Sequence, residues 1–338
     1  MNFRSDNTAP AAPEIVAALS NVNEGAASAY GEDQWSKRLD ETFSVLFERE
    51  VRVFTVASGT AANAIAVASL TPPWGAVLCH REAHIECDEC GAAEFYSGGA
   101  KLVLVDGDAA KVSVSALHEA IARNERGIHS VKPAALSVSQ TTEKGALYSP
   151  MEMAALGQAA KAAGLGVHMD GARFGNAVAA LGCKPADITW RAGVDILSFG
   201  ATKNGAIAAE AIVCFDVARA EEITRRRKRS GHLLSKGRFA AAQLLAYLEG
   251  DLWLTLARRS NALAARLGEA AGGYLLHPVE SNQVFIKPGP NALAKLRASG
   301  AEFYDWGAAQ SGEARLVVSW NQSEADIDAM AGLLSSLR

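Results

Sequence analysis

Asp170, Arg173 and Lys203 are the residues of this chain whose types and spacing best suit chemistry. Gly164–Met169 reads as a short buried strand, and the run His168-Met169-Asp170-Gly171-Ala172-Arg173 places a carboxylate and a guanidinium at its carboxyl end. A second strand, Asp195–Gly200, runs into Ala201-Thr202-Lys203-Asn204-Gly205. In an open α/β sheet that edge is where ligands bind. A lysine and an aspartate presented together there would suit pyridoxal phosphate. The amine attaches the cofactor, and the carboxylate keeps the pyridine nitrogen protonated so that the ring accepts electrons. A strand-end aspartate with an exposed lysine is the plainer account of the same residues.

Ser58-Gly59-Thr60 follows the strand Val51–Val56 and opens the helix Thr60–Leu70. Free amides and the helix dipole favour an anion there, so a phosphate fits, as does a simple hydroxyl cap. No Gly-x-Gly-x-x-Gly follows a strand and there is no P-loop, which argues against a dinucleotide or nucleoside triphosphate. His80, His84, Cys87 and Cys90 on one helix face would invite zinc. A closed site usually draws on two separated pairs, however, and no metal is expected. His84 could instead stack on a flat cofactor while Asp88 or Glu89 holds its other nitrogen, or it could lie on the surface. Arg225–Arg229 reads as a solvated helix face, or as a place from which Lys228 or Arg229 reaches a phosphate, even one in a neighbouring subunit. Arg315 opens the strand Leu316–Trp320; its fork suits a carboxylate, although a strand-terminal surface arginine looks the same.

Alternating elements must position these residues. Strands are expected at Val51–Val56, Ala76–Cys79, Lys101–Val105, Ala134–Ser139, the two strands named above and Ala211–Phe215. Helices are expected near Glu14–Ser20, Gln34–Phe47, Thr60–Leu70, Val114–Arg123, Pro150–Ala163 and Val217–Lys228. That rhythm predicts a mostly parallel, doubly wound sheet. A long helical pattern over Gly237–Ala271 breaks at Glu249–Asp251, then strands Ser281–Lys287 and Ala314–Trp320 precede a last helix opening at Ser323 and Asp326 with capping-box spacing. The expected division is an N-terminal arm (1–13), a large domain (14–250) and a small C-terminal domain (251–338). With 338 residues, 49% hydrophobic, the chain can bury a large core. Its net charge of -4 gives no support for nucleic-acid or membrane partners. No run is apolar enough to span a bilayer, Met1–Asp6 has no signal-peptide core, and five cysteines do not suit a disulfide framework. A cytoplasmic setting follows.

Taken in order, Ser5-Asp6-Asn7-Thr8, Tyr30-Gly31-Glu32-Asp33, Ser58-Gly59-Thr60, Ala83-His84-Ile85, His168–Arg173 and Thr202-Lys203 resemble the low-specificity threonine aldolases. These are fold-type-I pyridoxal-phosphate enzymes of the β-eliminating lyase family, and the resemblance spans nearly the whole chain. It implies an α/β large domain with a mostly parallel seven-stranded sheet and a small C-terminal α+β domain. The implied reaction is retro-aldol cleavage of threonine, allo-threonine and related β-hydroxy-α-amino acids, phenylserine among them, to glycine and an aldehyde. Other fold-type-I chemistry, namely β-elimination or racemisation, and a non-catalytic binding protein are the alternatives. The resemblance implies Lys203 as the attachment lysine, Asp170 as partner of the ring nitrogen, His84 stacked on the ring, and Ser58, Gly59 and Thr60 on the phosphate. Ser5, Arg173 and Arg315 would grip the substrate carboxylate, and Tyr30 would enter from a second subunit of a dimer or tetramer. One segment departs from the pattern. Many relatives carry a Thr-His-Asn segment after the Ala134–Ser139 strand, whereas this chain has Gln140-Thr141-Thr142-Glu143-Lys144-Gly145. The base is then Glu143, His84, or a water held by Asp88.

Overall fold

The structure, a computed structural model, describes residues 1–337. After helices α1 (Pro13–Val22) and α2 (Gln34–Phe47), the large sheet is built from β1 (Arg52–Val56), β2 (Gly75–His80), β3 (Lys101–Val105), β4 (Lys132–Ser139), β5 (Gly166–Gly171), β6 (Ile196–Gly200) and β7 (Glu210–Cys214). Between them lie α3 (Gly59–Leu70), α4 (His84–Cys87), α5 (Ala92–Ser97), α6 (Val114–Asn124), α7 (Pro150–Ala162) and α8 (Phe174–Leu181). Helices α9 (Ala220–Arg229), α10 (Arg238–Leu248) and α11 (Leu252–Ala271) lead to β8 (Gln283–Ile286), α12 (Pro290–Ala298), β9 (Tyr304–Trp306), β10 (Glu313–Val317) and α13 (Glu324–Ser336).

The large sheet has the order β1-β7-β6-β5-β4-β2-β3, and β7 runs against both its neighbours while the other pairings are parallel. This is the α/β fold expected from the alternation. Strands β2, β6 and β7 are buried along their whole length because helices cover both faces. On one face lies α3, whose alanines 61, 62, 64, 66 and 68 are all buried. Small side chains on a strong helix former let it lie flush against the strands. The opposite face carries an aromatic cluster of Phe43, Phe47, Phe174, Phe199 and Trp253. The caps expected from sequence take two forms. Ser149 and Glu152 close a reciprocal capping box on α7, whereas Ser323 caps α13 through the Asp326 amide alone. Asp326 turns its own carboxylate to Gln322.

Several boundaries move for local reasons. Gly164 sits at φ 73° and closes the turn after α7, so β5 starts at Gly166. Asp195 precedes β6 and caps the Val167 amide at 2.7 Å. Strand β7 begins one residue early, at Glu210, and β10 stops at Val317. The helix expected from Val217 begins at Ala220, after a single 3-10 turn. Helices α5, α8 and α12 and the three-residue β9 were not expected. His80, Cys87 and Cys90 do not share a helix face with His84. His80 ends β2, α4 is one turn long, and Cys90 lies beyond it at φ 52°. Among the described residues, no helix is long and apolar enough to cross a membrane.

The small antiparallel sheet, β8-β10-β9, is packed by α11, α12 and α13. The first residues of the chain complete it. Phe3 is fully buried in that core, its amide donating to Glu302 O at 2.7 Å and its carbonyl accepting from the Val317 amide at 2.9 Å. The arm then returns to the large sheet, where Ala12 N donates to Gly205 O at 2.8 Å. Phe3→Ala should cost about 3–5 kcal/mol of stability, read as a lowered denaturation midpoint, and limited proteolysis should then cut within residues 1–12.

Candidate active site

A cleft of about 770 Å³ opens where the parallel strands of the large sheet end, closed on one side by β9 and β10 of the small sheet. Asp170 enters it from the end of β5 and Arg173 from the turn that follows. Gly171 is required in that turn, since an added Cβ would lie 2.7 Å from Ser198 O. Lys203 enters from the 3-10 turn after β6 and is pinned through both chain neighbours. Thr202 Oγ1 accepts from Ala209 N at 3.2 Å, and Asn204 Nδ2 donates to Tyr247 OH at 2.7 Å and Trp253 O at 2.8 Å. Among the described residues, Lys203 Nζ has no hydrogen-bond or ion-pair partner. Burial, with Arg173 nearby, holds its amine below the usual lysine range.

Asp170 is fixed from two sides. Oδ1 accepts from the Ala172 amide at 2.9 Å and Oδ2 from Asn63 Nδ2 at 2.8 Å. Burial works to raise its pKa, but His84 and Lys203 outweigh that and keep it below the ordinary carboxylate value. Asn63 also donates to Glu89 Oε1 at 2.8 Å, and the same oxygen meets His84 Nδ1 at 2.8 Å. A hydrogen-bonded chain His84–Glu89–Asn63–Asp170 thus fixes ring and acid relative to each other. His168, although two residues from Asp170, is a strut. It is fully buried between Ser137 and Ser198 at 2.9 Å each, and burial drops it to about 4.

Glu143 lies on the loop after β4. That loop is held by Gln140, which pairs with both backbone groups of Tyr148, and by Ser281 donating to Gly145 O. Glu143 Oε1 accepts from the His84 amide at 3.0 Å and from Ser139 Oγ at 2.6 Å, whereas Oε2 has no partner. Burial pushes this carboxyl up to about 7. At the far end of the cleft, Ser58 caps α3 through the Ala61 amide, leaving the Gly59 and Thr60 amides with no acceptor among the described residues. Nothing lies within 4 Å of where a Gly59 Cβ would sit, so an anion can approach the backbone.

Two guanidiniums face the cleft. Arg173 forks onto Asp6 of the arm at 2.7 and 2.9 Å, and Asn282 donates to the same carboxylate at 3.1 Å. Among the described residues, Arg315 has no acid partner. It lies 4.9 Å from the Trp306 ring centre with Nε unpaired, and burial, then Arg173, lowers its pKa. Asp88 is exposed and lines the cleft. Ser5 does not line it, because its Oγ caps the Asn7 amide. Tyr30 is 52% exposed, with Lys228 Nζ stacked 4.7 Å from its ring centre. Lys228 and Arg229 point outward at the end of α9. Sequence reading had passed over Asp6, Asn63 and Glu210 and had named Glu89 only as a possible partner of His84. A polar residue inside the alanine-rich start of α3 was the available signal for Asn63.

A sequence model described as "Beta-eliminating lyase" matches residues 2–288. The chain is 41% identical to a protein of a Pseudomonas species described as "Low specificity L-threonine aldolase", over 97% of this chain and 95% of that one. It is 42% identical to the protein of the same description from Pseudomonas aeruginosa, over 99% and 96%. A solved structure described as Leishmania major threonine aldolase superposes with TM-score 0.93 at 28% identity, covering 99% of both chains.

The Glu89 carboxylate, aided by Asp170 and against the opposing effect of burial, raises the His84 pKa above the ordinary imidazole value. This contact therefore stabilises the fold fully below the unfolded imidazole pKa, and the contribution is lost as pH rises through the raised one. Glu89→Gln should return the His84 titration, followed by NMR of the ring protons, to or below the ordinary value.

Proposed function

The chain belongs to the β-eliminating lyase family, and from that premise we propose that it cleaves threonine and related β-hydroxy-α-amino acids to glycine and an aldehyde. It is a lyase that depends on pyridoxal 5′-phosphate. The observation that carries this reading is the buried, unpaired amine of Lys203 in the same cleft as an Asp170 carboxylate that Asn63 and Ala172 N–H groups position and that His84 and Lys203 keep ionised. The residues fit the cofactor. The free Gly59 and Thr60 amides and the open space over Gly59 suit its phosphate, Ser58 shapes that turn, and His84 is braced by Glu89 to face its ring. When bound, the cofactor supplies an electron-accepting ring that takes up the charge left on the substrate α-carbon.

The chain's own groups do the rest. Lys203 would hold the cofactor through its buried amine. Asp170 keeps a proton on the ring nitrogen, a preorganised electrostatic contribution of the kind that dominates catalysis. Arg315, lacking an acid partner, takes the substrate carboxylate, with the remaining N–H donors of Arg173 beside it. Of the three candidate bases, Asp88 is exposed and His84 is committed to Glu89. Glu143 keeps one oxygen free and titrates near neutral pH, which suits a base working there. It takes the proton of the β-hydroxyl as the Cα–Cβ bond breaks. Tyr30, Lys228 and Arg229 face outward together, which supports their serving the cofactor and substrate of a neighbouring subunit in a homodimer or homotetramer. The five free cysteines support a cytoplasmic setting.

Incubation with threonine should yield acetaldehyde and glycine; ammonia and 2-oxobutyrate instead would refute the reading in favour of β-elimination. Lys203→Ala should abolish both the visible absorbance of bound cofactor and glycine formation. Glu143→Gln should lower kcat by about 10²–10⁴-fold, and the wild-type rise in activity through about pH 7 should vanish from its profile. The groups facing Glu143 are Asp170, lowered, and Cys79, Cys87 and Tyr148, raised; none titrates near 7. His84, raised above the ordinary imidazole value, and Glu210, pushed up to about 7, lie in the same cleft, and the Gln variant separates Glu143 from both.

A further inference from the structure

Because β7 runs against its neighbours, its first residue stands at the edge where the others end. That residue, Glu210, lies in register with Gly200 of β6 and Val56 of β1, is only 7% exposed, and lines the same cleft. The Thr202 amide, next in the chain to Lys203, points to its Oε1 at 3.4 Å. Nothing in the cleavage described above uses it.

Three carboxyls favour a proton on Lys203: Asp6, Asp170 and Glu210. Asp6 gives both oxygens to Arg173 and one also to Asn282. Asp170 is taken by Asn63 and the Ala172 amide. Glu210 has no cationic or amide side chain bonded to it among the described residues. The other charged or titratable groups around the pair are Arg173 and His84, which face Lys203, and Tyr247, which faces Glu210. Burial pushes the Glu210 carboxyl up to about 7.

We infer that Glu210 is the proton partner of Lys203, a positioning residue that acts through the lysine. When the lysine is free, the proton that Nζ gives up passes through an intervening water to a Glu210 oxygen, leaving a neutral amine and a neutral carboxyl. Two neutral groups cost less to bury than two charges. The same proton returns to Nζ, from which the α-carbon of the product is protonated. This rests on Lys203 being the attachment residue, as proposed above.

In the cofactor-loaded enzyme, the visible band titrates with the nitrogen that Lys203 contributes. Glu210→Gln should lower the midpoint of that spectral titration by about one pH unit or more, and Glu210→Asp should restore part of the shift. Exchange of the glycine α-hydrogen with solvent deuterium, followed by NMR at neutral pH, should slow about tenfold or more in Glu210→Gln, the rate equivalent of that one-unit shift. A midpoint that stays put or rises in Glu210→Gln overturns the assignment while leaving the aldolase reading intact. A wild-type chain that forms no visible band with the cofactor overturns both.

Discussion

Charge balance in a cleft shielded from water is the constraint on which this molecule depends. Carboxyls, an amine, an imidazole and two guanidiniums converge at one sheet edge, and a buried charge without a partner is expensive. The fold answers residue by residue. Asp6 neutralises Arg173 through both oxygens, Asp170 is met by Asn63 and a turn amide, and Glu89 braces His84. The charged groups of the cleft that keep unpaired atoms among the described residues include the Lys203 amine, Arg315 Nε and one oxygen of Glu143. These are the groups to which the cofactor, the substrate carboxylate and the substrate hydroxyl are assigned. Removing one partner from a buried pair costs more than the pair contributes, so the balanced residues are held in place as firmly as the reactive ones.

Much of this edge was legible in the sequence, because strand patterns followed by Gly-rich turns mark carboxyl ends. The carboxylate and guanidinium after β5 and the lysine after β6 stand where that grammar places them. Other positions leave little local signal or none. Asp6 meets Arg173 across a separation of 167 residues, so no window contains both. Asn63 hides in a helix whose alanines suit packing alone. Glu210 reads as the ordinary start of a strand, since nothing nearby announces that the strand is reversed. The supposed zinc face failed for a similar reason: helical spacing was carried across the end of a strand, where side chains alternate with period two. The outward Tyr30 and Lys228 acquire a purpose only if another subunit covers them.

The proposed base shows how environment sets role. The loop after β4 has no histidine, yet burial, with the Asp170 charge nearby, brings the Glu143 carboxyl to the range in which histidine normally works. A carboxylate with a fixed oxygen and a free one can do the same proton chemistry with a different shape and charge. A change of residue type at that loop is therefore compatible with the same reaction.

The placement of Phe3 has a consequence for biosynthesis. Phe3 leaves the ribosome some three hundred residues before the strand against which it is seated. Domains tend to fold from the N-terminus as the chain is made, but this one cannot finish that way. Asp6, carried on the same segment, reaches Arg173 only after the C-terminal sheet has formed. The enzyme is thus assembled last at the place where it works, and a nascent or truncated polypeptide is kept from premature chemistry by its own topology.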